Sequence, residues 1–310
     1  MPSVVLPVPG QVGYLGWLAS PVVQRVNTCP LCASEARPIG SKNGFAMYRC
    51  RECRTYFPWP LPTQEQTLSI YSEGYFKGAS GGAGYVDYDR DKLPMVAAFE
   101  RYLDLIEQHL PERGTLTDIG AATGFFLKLA RSRGWKVMGV EPSEHASSQA
   151  RQDGLDVRTG VFHKGLLPES SLDVITMWDV LEHVPEPKAL IEAAHHTLRA
   201  GGLLVINTPD SESLLARVLR TKWHLVIPPE HLFLLNRNAL QRLLGPQFDI
   251  LRVGRIGKRF TLQYVLEILF HWQKLAFWNL LHRAVKGRKL GLVNLPINLR
   301  DNIFVMARKR

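Results

Sequence analysis

The chain has 310 residues, of which 45% are hydrophobic and 21% are charged, and its formal net charge is +10. These fractions are typical of a globular protein with a sizeable core, and the length exceeds that of one average domain. All four cysteines lie within one short stretch. This excludes a disulfide framework spread along the chain and favours a metal site in a reducing cytoplasm.

The first 26 residues form an apolar N-terminal extension that prolines and glycines interrupt. The extension lacks a basic leader followed by a continuous apolar core, so we do not expect a secretory signal peptide. The chain contains no uncharged apolar run of about 18 residues, so we expect no transmembrane helix. These features predict a cytoplasmic protein.

Residues 27–60 contain two C-x-x-C pairs, Cys29-Pro-Leu-Cys32 and Cys50-Arg-Glu-Cys53, which are separated by 17 residues. Two such pairs can place four thiolates tetrahedrally around one zinc ion. Four sulfur ligands leave no open position on the metal, so a zinc ion here would be structural. A redox-active pair is the alternative, but two matched C-x-x-C pairs fit it poorly.

The segment 61–92 links the cysteines to the rest of the chain. It begins with a short helix predicted after the N-cap Thr63. An aromatic, glycine-rich stretch from Tyr71 to Tyr88 follows, and its glycines indicate a mobile lid. The apolar spacing over residues 92–110 then predicts an amphipathic helix.

From Thr115 onward, short apolar runs alternate with helical patterns, which predicts βαβ units in an α/β domain over residues 93–310. An insertion at 258–299 follows no sheet pattern. The predicted strands are 115–119, 135–140, 155–158, 172–178, 203–207, 248–253 and 302–308, and the predicted helices are 124–133, 143–152 and 187–199.

A D-x-G-x-x-x-G pattern between Thr115 and Gly124 ends the first of these strands and opens a helix. Glycines at such a turn let the backbone approach a ligand closely. About 20 residues later a strand ends in Glu141, where a carboxylate can accept hydrogen bonds from both hydroxyls of a ribose. The alternative is that Glu141 only caps the helix that opens at Ser143.

Four ordered motifs in residues 90–310 resemble those of class I S-adenosylmethionine (SAM)-dependent methyltransferases. The resemblance implies SAM as the cofactor and a seven-stranded, mostly parallel, Rossmann-like sheet whose last strand, near 302–308, is antiparallel. The motifs are Asp118–Gly124, Gly139-Val-Glu-Pro-Ser143, Leu172-Asp-Val-Ile-Thr-Met-Trp-Asp-Val-Leu-Glu-His-Val184 and Leu198-Arg-Ala-Gly-Gly-Leu-Leu-Val-Ile-Asn-Thr-Pro209.

The resemblance also implies roles for matching positions around SAM. Gly120, Ala122 and Gly124 would pass under its methionine part, and Asp118 would brace their loop. Glu141 would hold the ribose.

Trp178 and Asp179, at the end of the fourth strand, would line the methionine side. Many relatives carry an acid after the third strand that contacts the adenine amino group. Here that segment is Arg158-Thr-Gly-Val-Phe-His163, so backbone groups and Phe162 would take over the contact.

A similar four-cysteine module, zinc-ribbon-like in character, precedes the methyltransferase domain in sugar C-methyltransferases and in some ribosomal RNA guanine methyltransferases. In sugar C-methyltransferases, residues resembling Tyr75, His183, Glu230 and His231 surround the acceptor. For Tyr75 the alternative is simple packing within the lid.

His231, in the segment Ile227-Pro-Pro-Glu-His-Leu-Phe-Leu-Leu235, is the candidate general base. A neutral imidazole can take a proton near pH 7, and Glu230 could act beside it. The alternative is a histidine that packs near the following helix, whose start Asn236 marks.

Residues 252–310 hold 13 Lys or Arg and only two acidic residues, and much of 260–285 is apolar. One interpretation is a solvated basic surface with a core or lid helix. The other is an interfacial helix at an anionic membrane surface. That would place the protein peripherally at the inner membrane face and suggest a lipid-linked sugar as acceptor.

The sequence therefore predicts transfer of a methyl group from SAM to a hydroxyl or carbon of a small-molecule or glycan acceptor. Base methylation of ribosomal RNA is the first alternative, but no basic and aromatic run flanks the cysteines. A SAM-binding scaffold without catalytic activity is the second.

Overall fold

The computed structural model describes residues 28–70, 95–256, 260–273, 275–295 and 299–310. The N-terminal extension, most of the lid segment and the predicted acceptor residue Tyr75 lie outside these residues. The described part contains a small antiparallel sheet that carries the cysteines, a large α/β sheet and a helical insertion.

The cysteine module is a three-stranded antiparallel sheet of β1 (Ala36–Lys42), β2 (Phe45–Cys50) and β3 (Tyr56–Trp59). Its first hairpin turns at Asn43 and Gly44, whose φ angles are 49° and 84°. Both positive angles fit the two-residue turn that Asn-Gly favours, because this turn matches the twist of the flanking strands.

The short helix α1 (Gln64–Ile70) follows the module. The Thr63 hydroxyl accepts a hydrogen bond from the backbone N–H of Gln66, and the Gln66 side chain accepts one from the N–H of Thr63. This reciprocal capping box satisfies two N–H groups at the helix start and confirms Thr63 as the N-cap.

The strands after the cysteine module are β4 (Thr115–Ile119), β5 (Lys136–Glu141), β6 (Val157–Thr159), β7 (Leu172–Trp178), β8 (Leu198–Pro209), β9 (Phe248–Gly254), the two-residue strands β10 (Phe260–Thr261) and β11 (Asn294–Leu295), and β12 (Asn302–Lys309). Seven of them form one sheet, in the spatial order β6-β5-β4-β7-β8-β12-β9. Neighbouring strands from β6 to β8 pair in parallel, whereas β12 is antiparallel to both of its neighbours. The predicted sheet with an antiparallel last strand is therefore confirmed.

Helices cover both faces of this sheet, so its central strands are buried on both sides. The residues Leu203, Leu204, Val205 and Ile206 of β8, for example, are all completely buried. The covering helices are α2 (Val96–His109), α3 (Phe125–Ser132), α4 (Glu144–Gln152), α5 (Pro187–Thr197) and α7 (Arg237–Leu244), whereas α6 (Leu214–Leu219) buries Ala216 in a cluster with Met47 and Tyr56 of the cysteine module.

The strand predicted at 203–207 is longer in the structure, since β8 begins at Leu198, directly after α5. The early part of β8 contains Gly201, with a φ of 76°, and Gly202. A Cβ atom on Gly202 would lie 2.9 Å from the carbonyl oxygen of Arg199. Glycine thus permits a tight start to the strand that the apolar pattern did not reveal.

The insertion folds into two helices, α8 (Leu262–Gln273) and α9 (Ala276–Val285), and β10 pairs with β11 at its base. Because β9 runs in the same direction as β4 to β8, the insertion begins at the edge of the sheet where these strands end. Among the described residues, no helix combines the length and apolarity needed to cross a bilayer.

The cysteine module packs on the α/β part through backbone pairing and through Asn236. Tyr56 and Leu234 exchange two backbone hydrogen bonds of 3.1 and 2.9 Å. Asn236 caps α7 through the N–H of Ala239, and its amide donates to the carbonyl of Cys53 and to the hydroxyl of Ser211. This buried asparagine joins the two parts.

We expect Asn236→Ala to lower the free energy of unfolding by about 3 kcal/mol, since a helix cap and two buried hydrogen bonds each contribute about 1 kcal/mol. Asn238→Ala is the matched control, because its amide makes only exposed hydrogen bonds, donating to the carbonyl of Glu52 and accepting from Nε of Arg242. The control should lose less than about 1 kcal/mol in urea unfolding. Equal losses in the two variants would contradict the role given to Asn236.

Candidate active site

The glycine loop between β4 and α3 adopts a conformation that only small residues tolerate. Gly120 and Gly124 have φ angles of 72° and 77°. A Cβ atom on Gly120 would lie 2.6 Å from Val180, and one on Gly124 would lie 2.2 Å from Leu155. The positive φ angles and these close contacts therefore favour glycine at both positions.

Asp118, which the resemblance assigns to bracing this loop, lies near the end of β4, just before the loop. Its carboxylate is almost fully buried and accepts a hydrogen bond of 2.6 Å from the hydroxyl of Thr176 on β7. The contact joins the carboxyl ends of two parallel strands directly beneath the loop.

Glu141 connects the loop to the next helix. One carboxylate oxygen accepts a hydrogen bond from the N–H of Ala122 at 2.9 Å, and the other accepts one from the N–H of Ser143 at 2.8 Å. Burial raises the pKa of Glu141 to about 7, although both N–H donors oppose that shift. The N-cap of α4 is Ser143, whose hydroxyl accepts from Ala146. Each oxygen of Glu141 keeps a lone pair, so two ribose hydroxyls could still donate to it.

Trp178 lies in an aromatic cluster between the sheet and α2. Its ring centroid is 4.5 Å from that of Tyr102, 4.9 Å from Phe126 and 5.6 Å from Phe99. Within the described part of the chain, its indole N–H is buried and has no hydrogen-bond partner. The cluster holds this side chain in place at the end of β7.

Asp179 has a left-handed backbone with a φ of 55°, which is strained for a residue other than glycine and is often found at functional sites. Its carboxylate accepts hydrogen bonds from the amides of Asn207, at 2.7 Å, and Asn302. The hydroxyl of Tyr102 donates to the other end of the Asn207 amide. Asn207 was missed at the sequence level, although a polar residue after the apolar run of β8 is a visible signal.

Phe162, the predicted adenine contact, follows β6 and is only 4% exposed. No acidic side chain occurs in the segment from Arg158 to His163. The assignment of the adenine contact to Phe162 stays a prediction.

His183 and His231 come together beyond the end of β7. Their ring centroids lie 4.7 Å apart, and the ring planes are nearly perpendicular, at an angle of 76°. The Nδ1–H of His183 donates to the carbonyl of Glu230 at 2.8 Å, and that of His231 donates to the carbonyl of Leu225 at 2.7 Å. These carbonyl partners assign the proton to Nδ1, so each Nε2 carries a lone pair.

Burial favours the uncharged form of both histidines and of Glu230, so it shifts their pKa values in opposite directions. It lowers the pKa of His183 to about 4 and, with His183 close by, that of His231 to about 3. It raises the pKa of Glu230 to about 7. Near neutral pH both imidazoles are therefore uncharged, whereas Glu230 changes its charge.

Glu182 is a further polar residue at this place that was given no role at the sequence level. It is completely buried and accepts a hydrogen bond from the hydroxyl of Thr208. Lone-pair atoms of Glu182, His183 and His231 all lie within 4.8 Å of one another. The signal available in the sequence was the position of Glu182 next to His183 within an otherwise apolar motif.

The segment that carries Glu230 and His231 is held by the cysteine module at both ends. The amide of Asn43 donates to the carbonyl of Pro228 at 2.9 Å, and Tyr56 pairs with Leu234. The module therefore contributes to the position of the two candidate catalytic side chains.

The four cysteines cluster as their spacing predicted. Sγ atoms of Cys29 and Cys53 lie 3.6 Å apart, and those of Cys32 and Cys50 lie 3.5 Å apart. A tetrahedron with metal–sulfur bonds of about 2.3 Å has edges of about 3.8 Å, so the cluster fits one metal ion. The neighbouring thiol of Cys29 lowers the pKa of Cys53 to about 4, which favours a thiolate there.

Residues 93–246 match the model of a protein family that is described as a methyltransferase domain. The chain is similar to the ubiquinone biosynthesis O-methyltransferase of Xylella fastidiosa (strain 9a5c), with 29% identity over 140 residues, or 43% of this chain and 57% of that protein. It is also similar to the enzyme of the same name from Idiomarina loihiensis, with 31% identity over 98 residues, or 29% of this chain and 40% of that protein. The chain thus matches about half the length of these curated relatives.

Among solved structures, a SAM-dependent methyltransferase from Thermotoga maritima has 23% sequence identity and a TM-score of 0.46. That match covers 72% of this chain and 95% of the other. The family match, the seven-stranded sheet and the glycine loop with its carboxylate identify the chain as a member of the class I SAM-dependent methyltransferases.

Proposed function

We propose that the protein transfers a methyl group from SAM to a small-molecule acceptor. The observation that carries this proposal is the placement of two polar sites along one edge of the sheet. The glycine loop with Glu141 lies at the ends of β4 and β5, and the histidine pair lies beyond the end of the adjacent β7. Ligands of open parallel sheets bind at this edge.

The loop would hold SAM through its backbone, and Glu141 would hold the ribose. SAM supplies a methyl group that its sulfonium already activates, so the protein chiefly has to align the acceptor and exclude water. Trp178 and Asp179 would flank the methionine part, and the aromatic cluster around Trp178 keeps this side of the site apolar.

His231 would accept the proton of an acceptor hydroxyl. Its free Nε2 is fixed in direction by the bond from Nδ1–H to Leu225. A pKa of about 3 makes it a weak base, but an oxygen that has just gained a methyl group is a strong acid, so a weak base suffices if the proton leaves late. Glu230, with a pKa of about 7, would then stabilise the imidazolium or receive the proton.

The acceptor class follows from the same groups. Neutral imidazoles and a carboxylate bind hydroxyl groups well, and the curated relatives are named as O-methyltransferases of ubiquinone biosynthesis. We therefore favour a hydroxyl of a small molecule or glycan, with a carbon acceptor and a lipid-linked sugar as variants of the same proposal. Tyr75 would complete this pocket.

We also propose that the four cysteines bind one structural zinc ion. The two Sγ distances and the low pKa of Cys53 support it. Such an ion would fix the module that holds the segment between Pro228 and Leu234.

Methyl-labelled SAM and fractionated cell extract test the function directly. We expect label in a small-molecule, lipid or polysaccharide fraction with the wild type. At a SAM concentration below the wild-type Kd we expect at least about tenfold less label with Glu141→Ala, because the loss of the ribose contacts should weaken SAM binding by that factor. Label in the RNA fraction would support the RNA alternative instead. Tight SAM binding in calorimetry without transfer to any fraction would favour a scaffold.

The pH dependence of turnover should report Glu230. Because its raised pKa is about 7, it is protonated below that pH, and kcat should rise as pH increases from 6 to 8. Glu230→Gln should flatten this rise.

His231→Ala should lower kcat by about 10²-fold to 10⁴-fold at all pH values, with the SAM Kd changed less than about twofold. Undiminished turnover in His231→Ala would remove it as the proton acceptor.

Removal of zinc should impair catalysis more than SAM binding. Cys53→Ser should reduce bound zinc from about one ion per chain to nearly none, as metal analysis would measure. Turnover should fall at least about tenfold while the SAM Kd stays within about twofold, since only the acceptor side depends on the module.

Asn43→Ala is the matched control for the zinc prediction. It should keep the zinc ion, yet lose part of the turnover, because it removes the hydrogen bond to Pro228. Full turnover in a zinc-free protein would contradict the role of the module, and a wild type without zinc would contradict the metal assignment.

A further inference from the structure

The stretch from residue 268 to residue 300 contains no acidic residue and six Lys or Arg. It includes α9 and the turn Lys289–Leu292 that follows it. Arg283, Lys286, Arg288 and Lys289 in this stretch are all exposed. The local charge is therefore positive without internal compensation from the same segment.

Helix α9 exposes large apolar side chains on its outer side. His282 and Val285 are buried on the inner side. On the outer side Phe277 and Leu280 are 58% and 67% exposed, with the exposed Ala284 one turn further along. Neighbouring exposed apolar side chains of this size are typical of an interaction surface, so this outer face calls for a partner.

The turn after α9 extends the same kind of surface. Leu290 and Leu292 are 60% and 64% exposed, and Val293 is 46% exposed. Residues of this turn contact both α8 and α9, so the exposed apolar groups belong to one compact unit. We call Phe277, Leu280, Leu290, Leu292 and Val293, with the four basic residues named above, the insertion face.

We propose that the insertion face docks on the surface of an anionic lipid bilayer. Large exposed apolar side chains beside Arg and Lys suit this boundary, since the apolar groups enter the acyl region and the cations meet anionic headgroups. A nucleic acid would attract the charges but offers little contact for five aliphatic and aromatic groups. A second copy of the chain would set positive charge against positive charge.

The topology gives this docking a consequence that rests on the proposed function. The insertion leaves the sheet at the end of β9, on the same edge as the ends of β4, β5 and β7. Docking through the insertion face would hold this edge of the sheet close to a bilayer. An acceptor dissolved in, or anchored to, the membrane would reach the site without passing through bulk water.

Flotation of the full-length protein with vesicles tests the proposal. We expect binding to vesicles of phosphatidylglycerol and phosphatidylcholine at low salt. Binding to pure phosphatidylcholine vesicles should be at least about tenfold weaker. Added salt should weaken binding to the anionic vesicles, because it screens the cations of the insertion face.

Two sets of substitutions separate the apolar and the charged parts. Phe277→Ser with Leu280→Ser, and separately Arg283→Gln with Lys286→Gln, should each lower binding at least about tenfold. The matched control is Leu214→Ser with Val218→Ser on α6, two side chains that are 76% and 68% exposed and lie outside the insertion face. The control should leave vesicle binding unchanged.

Calorimetric SAM binding by each variant serves as the test of folding, so loss of vesicle binding with normal SAM binding supports the proposal. Equal binding to neutral and anionic vesicles, or an equal loss in the α6 control, would overturn it. Retention on RNA but not on anionic vesicles would overturn it in favour of a nucleic acid. Methyl transfer in solution by a protein that binds no vesicles would overturn the docking while leaving the proposed function intact.

Discussion

The two backbone hydrogen bonds between Tyr56 and Leu234 join the cysteine module to the segment that carries His231. They add the third strand of the module to a segment that has no other regular strand partner among the described residues. With the bond from Asn43 to Pro228, they hold both ends of the turn that presents His231. Under the proposed function, the module would thus influence proton transfer at a place well outside its own four cysteines.

The glycine loop, to which the proposed function assigns SAM, depends on a different constraint, namely two buried carboxylates beneath it. Asp118 ties β4 to β7, and Glu141 ties the loop to the start of α4. Burial of a carboxylate is unfavourable unless donors satisfy it, and here the donors are mostly backbone N–H groups and one hydroxyl. A nucleotide that offered ribose hydroxyls would add donors to Glu141 and so stabilise the loop that binds it.

Much of the fold was predictable because its signals are local. The strands at 115–119 and 172–178 coincide with β4 and β7, since both are short runs rich in β-branched and apolar residues with turn residues after them. Thr63 and Asn236 were likewise found from capping chemistry. By contrast, Glu182 and Asn207 are visible in the sequence as polar residues in apolar surroundings, but their hydrogen-bond partners depend on which strands become neighbours. The break between α8 and α9 was missed because the apolar pattern continues through both helices.

The acceptor site illustrates how one environment can separate the charges of neighbouring groups. The same burial that keeps His183 and His231 neutral raises the pKa of Glu230 toward 7, because loss of water always disfavours the charged form. The two imidazoles are then hydrogen-bond acceptors of fixed direction, while the carboxyl group is the one able to gain or lose a proton near neutrality. If the insertion face brings this edge to a bilayer, the site becomes still drier. The pKa of Glu230 would rise further, so the pH above which its carboxylate can accept a proton would move upward.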